Sequence, residues 1–217
     1  MQSSSIKIAF IGSTGKCGKY VLNHLLQSGF ACKLLLRKPQ KLEHVNTPVD
    51  IVQGDVRDYH AVHNLLQGCN MVISTLSQPT GEAVPVFSAA ARNIIQAMQQ
   101  HNIQRYIVIA GLNVDVPGDT KGAAATYGTE WMYKNYPVTT ADRQAEFVEL
   151  VKSNIGWTLV RLPLIEQTTQ APQTIVNLHN CPGSAISATS LAHFITNQLF
   201  NGAFIRQAPF IANALKL

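Results

Sequence analysis

The residues best suited to chemistry lie together in one loop, Gly12-Ser13-Thr14-Gly15-Lys16-Cys17-Gly18. Its G-x-x-G-x-x-G spacing permits a tight turn and a close approach of the backbone to a ligand. An apolar run, Lys7 to Ile11, precedes it, and Val21, Leu22, Leu25 and Leu26 follow at helical spacing. A glycine loop between a strand and a helix N-terminus offers free N–H groups and a positive dipole end to a pyrophosphate, the arrangement of a dinucleotide site. Ser13 and Thr14 add hydroxyl donors. Cys17 stands at the helix N-terminus beside Lys16, a setting that lowers a thiol pKa, although it could equally be a filler of the loop.

Other candidates fall at the ends of later strands. Cys32 to Leu36 reads as a buried second strand that delivers Arg37 and Lys38, with Arg37 19 residues beyond Gly18. An NAD-binding chain puts an acid here for the ribose hydroxyls, whereas a cation accommodates the 2′-phosphate of NADP. No acid follows before Glu43, so NADP(H) is the expected cofactor. Asp55, after a third strand over Pro48–Gln53, reads as a partner for the adenine amino group or as a simple turn former. Val56 beside it joins the expected site.

The elements that must position these residues alternate along the chain. Asp58 is placed as the N-cap of a helix through Leu65 and Leu66. A fourth strand, Met71 to Thr75, runs into Leu76-Ser77-Gln78-Pro79-Thr80-Gly81, a loop that would pass beneath ribose and diphosphate; Thr75, Leu76 and Ser77 are its cofactor-side residues. Pro85 opens a long helix with Phe87, Ala90, Ala91, Ile94 and Met98 on one face. Arg105–Ala110 is the fifth strand, presenting Ala110, Gly111 and Leu112 to the cofactor, and Trp157 to Pro163 is the sixth, ending at the last of the expected contacts, Pro163. Strands separated by helices imply parallel pairing with right-handed crossovers, an α/β doubly wound sheet with helices on both faces. No repeat or linker divides residues 1–217, which read as one domain.

Composition narrows the function. Of 217 residues, 46% are hydrophobic and 13% charged, which suits a packed core and excludes a disordered chain. The net charge of +5 is scattered, with no basic stripe for nucleic acid, and fits anionic small molecules better. Cys17, Cys32, Cys69 and Cys181 show no C-x-x-C spacing, as expected of a reducing cytoplasm. The first apolar run carries Lys7 and ends in Gly12, unlike a signal peptide, and no run reaches bilayer-spanning length, so no membrane partner is expected. His60 and His63 could face one another on a helix as a metal pair, but nothing nearby completes a site and they read as surface residues. There is no G-x-S-x-G elbow and no phosphate-loop Gly-Lys-Ser/Thr, which sets aside hydrolases and nucleotide triphosphatases.

Taken in order, Gly12-x-x-Gly15-x-x-Gly18, Arg37-Lys38-Pro39, Gly54-Asp55, Ala91-Arg92-Asn93-Ile94-Ile95 and Trp157-Thr158-Leu159-Val160-Arg161 resemble the short-chain dehydrogenase/reductase superfamily. Within it the chain is most similar to the atypical, NmrA-like group that includes flavin reductases of the biliverdin reductase B type. The resemblance runs from about Ile6 to Phe200 and implies an NADP(H)-binding Rossmann domain. Standard members carry a Ser after strand five and Tyr-x-x-x-Lys on the next helix. Here Ala110 and Gly111 stand at the Ser position, Val138 at the Tyr and Asp142 at the Lys, and no Tyr-x-x-x-Lys occurs anywhere. Without a Lys to lower a Tyr pKa the usual general acid is missing. Leu164 also replaces a histidine of the biliverdin reductase B type, so no catalytic residue is assigned.

Two readings follow. One is an NADPH-dependent reductase handing hydride to a planar flavin or quinone, with water supplying the proton, favoured by a compact chain without an appended regulatory domain. The other is a non-catalytic NADP(H) sensor of the NmrA kind, favoured by the missing Ser, Tyr and Lys. Residues 112–138 and 164–187, including Cys181-Pro182-Gly183, are the expected substrate-side elements. Tyr127, Trp131, Tyr133 and Tyr136 either floor a planar substrate or pack on the sheet from a helix over Lys121–Asn135. Monomer and homodimer both stay open. If Arg37 reads the 2′-phosphate, Arg37→Glu weakens NADPH binding far more than NADH binding in fluorescence titrations. Equal losses for the two nucleotides would refute that assignment.

Overall fold

The computed structural model describes residues 6–42, 48–79 and 81–214; Glu43 and Thr80 lie outside them. The chain runs β1 (Lys7–Ile11), α1 (Gly18–Gln27), β2 (Ala31–Leu36), β3 (Asp50–Gln53), α2 (Tyr59–Leu66), β4 (Met71–Ser74), α3 (Phe87–Gln100) and β5 (Arg105–Gly111). It continues through α4 (Ala123–Asn135), α5 (Pro137–Lys152), β6 (Gly156–Leu162), β7 (Leu164–Glu166), β8 (Thr174–Asn177), β9 (Ala185–Ser187), α6 (Ala188–Gln198) and β10 (Phe210–Asn213). Eight strands form one sheet in the order β3-β2-β1-β4-β5-β6-β10-β8, parallel except for β8, which pairs antiparallel with β10. The six expected strands are all present. β8 and β10 extend the sheet beyond them, and β7 pairs with β9 in a separate short ribbon.

Alternation of side chains across each strand builds two cores. Ile8 and Phe10 of β1 face the layer of α1 and α6, while Ala9 and Ile11 face the layer of α2, α3 and α5. β1 is buried on both faces, which is why it reads as a continuous apolar run. Asp58 caps α2 as the sequence predicts, accepting a 2.9 Å bond from the His60 amide. α3 begins at Phe87, two residues after Pro85, and has no cap of its own. Asp142 of α5 supplies one instead, with Oδ2 accepting from the Phe87 amide at 2.7 Å and Oδ1 bonded by the Ser88 hydroxyl. A carboxylate at the positive end of a helix is favourable twice, through hydrogen bonds and through the dipole.

The largest fully buried side chain is Arg161, near the C-terminal end of β6. Its guanidinium donates to the carbonyls of Ala208 at 2.8 Å, Val114 at 3.1 Å and Leu178 at 3.0 Å, and to Asp119 Oδ2 at 2.6 Å. Its flat face lies 3.5 Å from the centre of the Phe210 ring. A desolvated cation is tolerable only with such a complete set of partners. Removing it takes the cation from Asp119, which keeps only the Val116 amide, and a donor from three carbonyls, so Arg161→Met lowers unfolding free energy by about 3–5 kcal/mol. Arg92→Ala, at a half-exposed pair with Glu149, stays within about 0.5 kcal/mol of the parent. Urea denaturation of both variants checks the contrast.

Candidate functional site

β1 and β4 are neighbours in the sheet, but the chain between them runs outward through β2 and β3 and back. Strand order therefore reverses at this pair, and a crevice opens above its carboxyl end. Gly12 ends the turn on one side and Thr75 on the other. The Thr75 amide donates to Ile11 at 2.9 Å, and its hydroxyl donates to the Gly12 carbonyl at 2.9 Å. Gly12 has φ +83°, and a Cβ there would lie 2.7 Å from the Thr75 carbonyl carbon. A Cβ on Gly18 would sit 2.1 Å from the Gly12 oxygen. Both positions demand glycine. α1 then starts at Gly18 with no side-chain cap and no acid in its first turn; its Lys19 and Tyr20 amides bond the Gly15 and Cys17 carbonyls, and the positive end of its dipole is left to an outside anion.

The crevice has a volume of about 560 Å³. Gly12, Thr14 and Gly15 line its glycine-loop side, Arg37, Lys38, Asp55 and Val56 one end, and Thr75, Leu76 and Ser77 the opposite wall. Other expected residues lie elsewhere. Ser13 is buried with its hydroxyl unpartnered among the described residues, Lys16 points to solvent, and Ala110, Gly111, Leu112 and Pro163 sit at the ends of β5 and β6, outside this cleft's wall. Cys17 is buried, and burial pushes its thiol up to about 11. Desolvation outweighs the pull of the Cys17 and Gly18 amides and of Arg143, so the low-pKa reading is corrected and the filler reading is left.

The sequence missed two residues at this end, Arg57 and Glu82. Arg57 donates Nε to Asp55 Oδ1 at 2.9 Å and Nη2 to Asp55 Oδ2 at 2.8 Å, and it reaches Glu82 Oε2 at 2.8 Å. Arg37 bonds the other Glu82 oxygen. The Arg57 bonds hold the Asp55 carboxyl below the usual carboxylate range. No acid follows Arg37 in sequence before Glu43, but in space Glu82 reaches it from 45 residues away. Only a charge pattern compatible with many pairings hinted at it.

Beneath the Leu76 wall lies a second buried ion pair. Arg143 donates Nη1 to Glu146 Oε2 at 2.5 Å and Nη2 to the Leu76 carbonyl at 2.6 Å, with its carbon 3.3 Å from the centre of the Phe87 ring. Complete burial raises the Glu146 carboxyl above its ordinary range, against the pull of Arg143. The aromatic side chains of α4 neither pack on the sheet nor line the cleft. Tyr127, Trp131 and Tyr136 are exposed, and Ala125 is the helix's one buried residue. His63 stacks on His101 with ring centres 4.3 Å apart.

Residues 12–202 match the model of a family described as NAD(P)H-binding. The chain belongs to that family. The cradle at Gly12 and Gly18 and the uncapped helix fit such a dinucleotide. A Synechocystis protein provisionally named as a dihydroflavonol 4-reductase is 29% identical over 124 residues, 54% of this chain and 36% of its own. The chain spans between 18% and 36% of the length of the curated relatives it matches. Solved structures cover nearly all of it. An anaerobillin reductase from Escherichia coli O157:H7 superposes with TM-score 0.77 at 18% identity, covering 98% of this chain and 100% of that one. A short-chain dehydrogenase/reductase from Veillonella parvula, in complex with NADP, gives TM-score 0.74 at 17% identity, covering 96% and 94%. These likenesses establish the Rossmann fold.

The glycine geometry can be tested directly. Gly29 also has a positive φ, +82°, but open space around it. Gly29→Ala therefore costs only the left-handed penalty of about 1–2 kcal/mol. Gly12→Ala adds a backbone clash with Thr75 and lowers the melting temperature by a visibly larger amount in thermal scans.

Proposed function

We propose that this chain is an NADPH-dependent reductase that passes hydride to a planar acceptor such as a flavin or quinone, without a serine–tyrosine–lysine set. The observation that carries the coenzyme choice is the convergence of Arg37 and Arg57 on one point at the end of the cleft away from the glycine loop. Two guanidinium forks meeting there suit a phosphate monoester. Gly12, Gly15 and the start of α1 would hold the pyrophosphate, and Thr75 and Leu76 would back the ribose. The NADP named with the Veillonella parvula structure supports the same choice.

The acceptor class rests on what the standard catalytic positions contain. Ala110 and Gly111 offer no hydroxyl, and a Cβ on Gly111 would lie 2.2 Å from Asn113 Oδ1. Val138 is exposed, and Asp142 is committed to α3. No side chain is left in the position of the usual proton donor. Bound NADPH supplies the hydride from its nicotinamide. The chain's own part is to fix that ring and exclude competing geometries. An acceptor ring whose reduced form takes its proton from water needs nothing more: it gains hydride and proton, and NADP⁺ leaves. The reductase named for the Escherichia coli relative is in keeping with this class. Four unbridged cysteines suit the reducing cytoplasm that the reading assumes; no helix among the described residues is long and apolar enough to cross a membrane.

The commitment of Asp142 to a structural cap favours a second reading, a non-catalytic NADP(H) sensor. Purified protein mixed with NADPH and FMN, or NADPH and a quinone, is expected to oxidise the nicotinamide, followed by its absorbance. Tight NADPH binding with no oxidation across an acceptor panel would replace the reductase with the sensor.

A further inference from the structure

Three chain segments bring four charges together at the far end of the cleft: Arg37 after β2, Asp55 and Arg57 after β3, and Glu82 from the loop after β4. Arg57 is bidentate to Asp55, and Arg37 Nη1 lies 3.9 Å from Asp55 Oδ2. Glu82 closes the set, one oxygen bonded by Arg37 and the other, at 2.8 Å, by Arg57. Within this bonded set two cations and two anions cancel, with Lys38 exposed beside it. Asp55 is carried by the end of a strand, whereas Glu82 sits on a loop and keeps about a third of its side chain exposed. The loop backbone is pinned, since Gln78 Nε2 donates to the carbonyls of Glu82 at 2.9 Å and Val84 at 3.0 Å. An exchange at this point would need only the side chain to move.

A carboxylate bridging two guanidinium groups puts its oxygens where phosphate oxygens would go. A phosphate monoester brings nearly two negative charges. Added to the neutral foursome, it would meet two carboxylates at close range. Exchanged for Glu82, it would meet two cations and one carboxylate. A nucleotide with a free 2′-hydroxyl requires no exchange.

Resting on the reading of this cleft as an NADP(H) site, we propose that Glu82 is an internal stand-in for the 2′-phosphate: it occupies the two arginines in the free protein, is displaced by NADP(H), and sets the ratio of NADP(H) to NAD(H) affinity. The arginines supply the attraction, and Glu82 sets how much of it the phosphate receives. The lowering of the Glu82 carboxyl's pKa by Arg37 accords with an anion held there at neutral pH.

The test uses two probes that differ only in the 2′-phosphate, 2′,5′-ADP and 5′-AMP, titrated calorimetrically into the full-length parent and Glu82→Gln. Glu82→Gln should tighten 2′,5′-ADP about fivefold, the scale of a partly exposed ion pair, and shift 5′-AMP by less than about twofold. Glu82→Ala should match it, and the gain should vanish when Arg37→Ala is added, because the cycle isolates the shared interaction. An unchanged preference between the probes, or weaker 2′,5′-ADP binding by both variants, overturns the proposal while leaving the cofactor reading intact. A parent protein that binds neither probe nor NADPH overturns both.

Discussion

The guanidinium of Arg161 is the interaction on which both sides of the molecule depend. It is wholly removed from water near the end of β6, where an uncompensated charge would be prohibitive. Its partners come from three places: Val114 and Asp119 in the segment after β5, Leu178 after β8, and Ala208 with the ring of Phe210 at the start of β10. These three segments are far apart in sequence. Each brings an acceptor or an aromatic face that the cation requires, so the region after β5 and the region around β8 are held to the sheet by one charge. The parallel edge that β6 would otherwise expose is covered by β10 in the same stroke.

Arg143 plays the matching part on the cleft side. It joins Glu146 within α5 to the Leu76 carbonyl and stacks on Phe87 at the start of α3. The wall of the crevice is thereby tied to a helix packed on the far core. Buried ion pairs of this kind add little net stability compared with apolar packing, but they tolerate few alternative arrangements. Their effect is to fix where the loops after β4 and β5 run, which is what a cleft built from loops needs.

What could be read in the sequence was what is local. The glycine spacing, the apolar runs of β1, β2, β4, β5 and β6, and the Asp58 cap each depend on residues within a few positions of one another. β8 and β10 escaped notice because each is four residues long and pairs with a strand distant in the chain. Arg57 and Glu82 escaped because ion pairs across 25 and 45 residues leave no periodic trace. Cys17 shows the converse: its neighbours in sequence argue for a thiolate, while its burial, a property of the whole fold, decides for the thiol. The aromatic residues of α4 could be placed on a helix but not on a face, since only Ala125 of that helix is buried.

Asp142 constrains the scaffold as well as capping it. By the resemblance drawn from the sequence it stands where short-chain reductases carry lysine, and it holds the first amides of α3. Exchanging it for lysine would strip those amides of their acceptor and set a cation against the positive end of the helix. A chain with this aspartate therefore cannot take up lysine here without a second change, another cap for α3 such as a serine or aspartate at position 86. Until that change is made the helix packing works as a ratchet, restricting which chemistries the scaffold can reach next.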